Sequence, residues 1–393
     1  MLAPDDEAHY RFQPAVCCFE NETTMQQVRG GIAKPGRKGG SGIMVLKVFA
    51  AGLVFALAPL FVSEVRADAT LPSGCADRMK GQRLTLVVPN AAGGGFDIYA
   101  RSLAPELERI GGVTVRVSNM PGGGGKAALL RVANAPSDDY AVLIDNAGDI
   151  VAELLEDPSL GKTPQDFRAL GIVQVEPEAW VGRPDLNLMD PDAGPLVAAV
   201  SSVEANLGTV GLPAMATGHT VRLVAGYAGS GDQFAAVLRG ETDFTSKAKG
   251  TALRAMKSGD LKVLLVLSDG PDPMLPDVPW LAGEGGLVAH LTAGLPEAER
   301  AERQKIAQLA VSLSSGARIL MNSAAVPDDV QVCLNAIFDA ALVSPDFRDA
   351  AQAQGRDVTP IGAQEAERIF ENKLEAYSRA APLLDEVATQ LRP

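Results

Sequence analysis

The chain has 393 residues, 48 acidic and 35 basic side chains, a formal net charge of −13, and 47% hydrophobic residues. That length suits two domains of ordinary size rather than one core, and the acidic balance excludes nucleic acid and anionic lipid as partners. With four cysteines and three histidines in no metal-ligand spacing, neither a metal nor a cofactor is expected.

Residues 1–43 carry Asp5, Asp6, Glu7, Glu20 and Glu22 without periodicity, and are expected to be a non-native or disordered extension preceding a true start at Met44. Lys47 then leads into the apolar run from Val48 to Val62, too short for a membrane span of about 20 residues and right for a signal h-region. Residues 44–67 therefore read as a signal peptide, cleaved near Ala67 or Ala69. Removing 1–67 leaves 28 basic against 42 acidic residues, so an anion site must be built locally. Cys75 and Cys333 survive cleavage, and the sequence leaves open whether they pair.

The next segment is the most informative. A β-branched run, Leu84 to Val88, stops at Pro89; Gly93, Gly94 and Gly95 follow, and Asp97 opens a helical pattern through Ile98, Leu103, Leu107 and Ile110. Strand, glycine turn and helix aim unpaired N–H groups and a positive helix end at one point, a cradle for a carboxylate. Further strands are predicted at 113–117, 141–144, 169–173, 196–200, 221–224 and 261–267, with helices at 97–110, 126–134, 149–156, 232–239 and 247–258. This alternation indicates βαβ units, with ligands at the carboxyl ends of the strands. Gly182–Leu186 reads as a hinge. Beyond Glu297 come a charged helix to Leu313, a strand at Arg318–Met321, helices after Pro327 and Pro345, and one or two helices over Gln364–Gln390.

Gly122-Gly-Gly-Gly-Lys126 is not a P-loop, since Met120 and Ala127 stand where the glycine and the magnesium-binding hydroxyl belong. Nor is Gly93-x-Gly95 a dinucleotide fingerprint, with Ile98 in place of the third glycine. Gly229-Ser-Gly231 is no nucleophile elbow, and no nucleophile–base pair is visible; an enzyme is not expected. By themselves both glycine clusters fit tight turns of an α/β fold.

Together the motifs resemble the substrate-binding receptors of tripartite tricarboxylate transporters, the Bug-type periplasmic solute-binding proteins. Val87-Val-Pro-Asn-Ala-Ala-Gly-Gly-Gly-Phe-Asp-Ile-Tyr-Ala-Arg101 is similar to their first ligand loop, followed in order by Val117–Gly125, Ala135–Tyr140, Gly226–Gly229 and Leu275-Pro-Asp-Val-Pro279. The resemblance covers roughly residues 82–385 and implies an α/β, two-lobed periplasmic-binding-protein-like (type II) fold. Each lobe would be a mainly parallel sheet flanked by helices, with lobe 1 formed by 80–184 plus 314–393 and lobe 2 by 185–313. It implies a ligand set of Ala92, Gly93, Gly94 and Asp97 from the first loop; Asn146, Ala147, Gly148 and Asp149 after the third strand; and Ser201, Ser202, Tyr227, Gly229 and Ser230 from the second lobe. Asp97 also suits a helix cap needing no ligand.

The third-strand loop departs from the family pattern, since Asp145 and Asp149 would repel a carboxylate there. Either they point away or cap a helix, or the ligand is neutral, zwitterionic or cationic. Lys247 stands near the cleft. The function implied is a monomeric periplasmic receptor for a small organic, carboxylate-bearing metabolite, working by lobe closure with the membrane components of a transporter. The competing reading is a ligand sensor for a signalling partner.

Overall fold

The computed structural model describes residues 71–391; the expected extension at 1–43 and signal peptide at 44–67 lie outside the described residues. Helix α1 (Cys75–Met79) precedes strand β1 (Arg83–Val88), whose Leu84, Leu86, Val87 and Val88 are all fully buried. The glycine turn leads into α2 (Gly95–Gly111), which buries Tyr99, Ala100, Leu103 and Leu107 at helical spacing and stops at Gly112 in the left-handed region, φ 62°. Then follow β2 (Thr114–Asn119), α3 (Lys126–Ala133), β3 (Tyr140–Asn146) and α4 (Ala147–Glu156), giving two parallel pairings, β1 with β2 and β1 with β3.

Strand β4 (Phe167–Gly182) is much longer than the predicted 169–173, because it serves two sheets. The second sheet is completed by β5 (Leu196–Ala199), α5 (Leu212–Thr217), β6 (Val221–Val224), α6 (Ser230–Leu238), β7 (Phe244–Ala248), α7 (Lys249–Ala255) and β8 (Lys262–Val266). Helices α8 (Leu287–Leu291) and α9 (Glu297–Ser314) then lead to β9 (Ser315–Ser323), which returns to the first sheet. Helices α10 (Asp328–Leu342), α11 (Pro345–Ala353) and α12 (Ala363–Leu391) close the chain.

The strands form one path, β2-β1-β3-β9-β4-β7-β5-β6, with β8 also on β4. The sheets are mixed rather than mainly parallel: β9 runs antiparallel to β3 and β4, as do β7 and β8 to β4. Residues 167–177 of β4 pair with β9 and residues 178–182 with β7 and β8, so the chain changes sheets at Pro177–Glu178. That lies upstream of the expected hinge. Gly182 is instead packed into the second sheet, where a Cβ would meet the Asp243 carbonyl oxygen at 2.6 Å.

Helix α12 is one helix despite Pro382, and its buried residues, from Ala366 through Tyr377 to Leu391, follow helical spacing. It packs on β4 and α4 at one end and reaches the segment around Gly211 at the other, where Val387 closes over that glycine. Cys75 and Cys333 form a disulfide joining α1 to α10, with both residues buried. Among the described residues no single helix is long and apolar enough to cross a membrane.

Candidate functional site

A cavity of about 90 Å³ lies at the carboxyl ends of β1, β3 and β5, with walls from both sheets. It adjoins an outer cavity of about 390 Å³, sharing with it Gly94, Gly95, Gly229, Ser230 and Thr251. The first turns of α2, α4 and α6 end on the inner cavity, which places the positive ends of three helix dipoles around it.

Of the residues expected at the site, Gly94, Asn146, Asp149, Ser201, Gly229 and Ser230 line the inner cavity, while Ala92 and Gly93 line only the outer one. Asp97, Ala147, Gly148, Ser202 and Tyr227 line neither. Asp97 accepts the Gly93 N–H at 2.8 Å and pairs with Arg101 at 2.9 Å. Burial alone would raise its pKa, but these bonds outweigh burial and hold its carboxyl below the usual range. It fixes the glycine turn from behind. Ala147 is fully buried core, and the Gly148 N–H donates to the Asn146 side chain at 2.9 Å, capping α4. Ser202 donates to Glu153 across the two sheets, and Tyr227 donates its N–H to the Val200 carbonyl at 3.3 Å.

The two sheets touch at several points around the cavity. The Ala91 N–H donates to the Ala228 carbonyl at 3.0 Å, joining the loop after β1 to the loop after β6. Arg356 donates to Thr251 at 2.8 Å, and Lys126 lies 3.2 Å from Glu153 and 3.7 Å from Glu204. The second glycine cluster, 122–125, forms a tight left-handed turn that abuts Ser201 and Ser202; a Cβ on Gly124 would stand 2.9 Å from the Ser202 Cβ and 3.1 Å from the Ser201 carbonyl oxygen. These contacts hold the cleft closed.

Sequence reasoning missed much of the polar lining. Glu178 comes from β4, Glu153 from α4, Arg318 from β9, Gln233 from α6, and Asn206 and Thr209 from the segment before α5. A signal existed in Gln174, Glu176 and Glu178, three polar residues at alternate positions and so on one face of the strand, and in Arg318 beside Ile319, Leu320 and Met321. Arg318 is held by Glu176 and by Gln174 at 3.2 Å, and lies over the rings of Phe96 and Tyr99 at 5.6 and 5.3 Å. Trp180, fully buried and packed against Phe244 at 4.4 Å, donates to the Thr209 carbonyl at 2.8 Å and anchors that part of the wall.

Burial pushes the Asp145 carboxyl up to about 7, with Glu153 adding to the effect, and pushes Glu178 up to about 7 as well. Asp149 rises well above the carboxylate range, through burial first and then through Asp145 and Glu178. Lys247 is lowered by burial, opposed by Glu178 and Asp149. Among the described residues no group of three or more His, Cys, Asp or Glu side chains is placed to hold a metal ion.

No family model matches the chain. Its relatives include the UPF0065 protein in the TAR-I ttuE-ttuC' intergenic region of Agrobacterium vitis, 31% identical over 54% of this chain; the chain spans 63% of that relative's length. Among solved structures it resembles the periplasmic binding protein BugD, with a TM-score of 0.59 and 23% identity over 76% of this chain and 98% of that one. MatC from Rhodopseudomonas palustris with bound malate gives the same TM-score, 0.59, and 23% identity over 78% of this chain and 99% of that one. The chain's homologues are thus UPF0065/Bug proteins, and its α/β fold is that of the periplasmic binding proteins of the Bug and TctC type.

Proposed function

We propose that the protein is a periplasmic solute-binding protein that captures a small, carboxylate-bearing metabolite between two lobes and presents it to the membrane components of a tripartite tricarboxylate-type transporter. We place the lobe boundary at Pro177–Glu178, where β4 passes from one sheet to the other, with the return at the start of β9. The observation that carries this reading is the cavity itself. It is walled from both sheets by glycine loops and helix N-termini, and bridged at its rim by the Ala91–Ala228 backbone hydrogen bond. Such a wall offers a carboxylate N–H donors and dipoles without a covalent partner, which is the chemistry of capture rather than conversion. The malate bound to MatC, a protein of the same fold, supports the ligand class.

The test is a thermal shift screen of the protein from Asp68 onward against di- and tricarboxylates and other organic acids. A ligand at 100 times its Kd stabilises by about 2.7 kcal/mol, several degrees in Tm. Gly94 has ordinary φ and only the Ala91 carbonyl oxygen, at 3.4 Å, near its would-be Cβ, so Gly94→Val folds but crowds the cavity mouth. A shift in the wild type that disappears in Gly94→Val is expected; no shift with any acid would sink the reading.

A further inference from the structure

Four carboxylates line the inner cavity, Asp145, Asp149, Glu153 and Glu178, against two cations, Arg318 and Lys247. Arg318 is already paired with Glu176 behind the wall. Glu153 is matched by Lys126 at 3.2 Å and by the Ser202 hydroxyl. Asp145, Asp149 and Glu178 then face Lys247. Behind α4, Lys373 directs its protons to the carbonyls of Ser312 and Leu313 and to the Ser315 hydroxyl, at 2.7, 3.0 and 2.9 Å. Three carboxyl groups therefore face one ammonium, in a buried place where an unpaired charge is costly, so these acids ionise fully only when a further cation joins them. No three of these acids are placed as metal ligands.

A second observation points to the other end of a ligand. Gln233, in the first turn of α6, lines the same cavity and is 0% exposed. Its Oε1 accepts from Thr245 at 3.4 Å, while its Nε2 has no hydrogen-bond partner. A buried amide donor left without a partner is costly, and an acceptor on a ligand would satisfy it. Gln233 and the α6 N-terminus belong to the second sheet; Asp145 and Asp149 belong to the first, at the end of β3 and in the first turn of α4. Glu178, from the second sheet, joins the two aspartates, so the wall presents an unpartnered amide donor at Gln233 and a cluster of three carboxyl groups at Asp145, Asp149 and Glu178.

We infer that the captured metabolite is zwitterionic, with a carboxylate at Gln233 and the α6 N-terminus and an ammonium group at Asp145, Asp149 and Glu178. This rests on the capture reading above and names its substrate class as amino-carboxylates.

Calorimetric titration with pairs differing only in the ammonium group tests it: glutarate with glutamate, adipate with 2-aminoadipate, butyrate with γ-aminobutyrate. In at least one pair the amino-bearing member is expected to bind tenfold tighter or more. Asp149→Asn should shrink that preference below threefold, and Glu178→Gln serves the same purpose if the first variant fails to fold. Tighter binding of the plain acid in every pair, or a preference untouched by both variants, would overturn the inference and leave the capture reading standing. No binding by any of the six compounds would overturn the inference, while the capture reading stands or falls on the wider organic-acid screen.

Discussion

Valine at Gly124 should prop the cleft open without unfolding either sheet. Gly124 has φ 71°, so any side chain there carries left-handed strain of about 1–3 kcal/mol. The larger effect is the collision with the opposite sheet, where contacts of 2.9 Å to the Ser202 Cβ and 3.1 Å to the Ser201 carbonyl oxygen fall well inside normal carbon contact distances. The Ser201 carbonyl is backbone and cannot rotate away, so the sheets must separate. Separation breaks the Ala91–Ala228 hydrogen bond, worth about 1 kcal/mol, and the charge-assisted bonds Ser202–Glu153 and Arg356–Thr251, worth about 1.5–3 kcal/mol each. Even a partial loss of about 3 kcal/mol raises the ligand Kd by roughly 100-fold. Gly123→Val is the matched control. It has φ 61° in the same turn, but its would-be Cβ meets only the Lys126 Cβ at 3.6 Å, so it carries the strain without the collision. Calorimetric Kd values for both variants settle the point. If Gly124→Val binds within threefold of Gly123→Val, the closed contact at Ser201–Ser202 plays no part in binding.

Two further outcomes follow from buried groups. The Cys75–Cys333 bridge spans 258 residues, and its loss should cost about 2–5 kcal/mol, or roughly 3–7 °C in Tm; a wild-type Tm that reductant leaves unmoved would contradict this. Asp145 and Glu178 titrate near 7 in the fold and near 4 in the unfolded chain, so their protons favour the native state at low pH and that contribution is lost as pH rises through 7. Asp145→Asn, whose amide oxygen can still accept the Asn146 N–H, should therefore raise the Tm of the unliganded protein at pH 8, with the gain shrinking towards pH 4. Melting curves for both proteins across that range check the sign, and a gain largest at pH 4 would refute it.

The features legible in the sequence were local. The run from Leu84 through Gly95 fixed a strand, a turn and a helix start within a dozen residues, and the structure places α2 at Gly95–Gly111 against an expected 97–110. Strand β7 was hidden because Thr245, Ser246 and Lys247 are polar; the strand borders the cavity, so its composition answers to the site rather than to the core. Glu178 and Arg318 were hidden for the same reason. The role of Gly124 depends on Ser201 and Ser202, far away in sequence, and no periodicity reports such a meeting. The pairing of Cys75 with Cys333 was open on the same ground, since two lone cysteines carry no register.

The most direct measurement is one titration: the wild-type chain from Asp68, and its Gly94→Val variant, against the best organic acid from the thermal screen. One saturable site per chain in the wild type, lost in the variant while its Tm without ligand is kept, is the predicted result. Binding that survives the substitution unchanged would place the ligand elsewhere and contradict the assignment of this cleft.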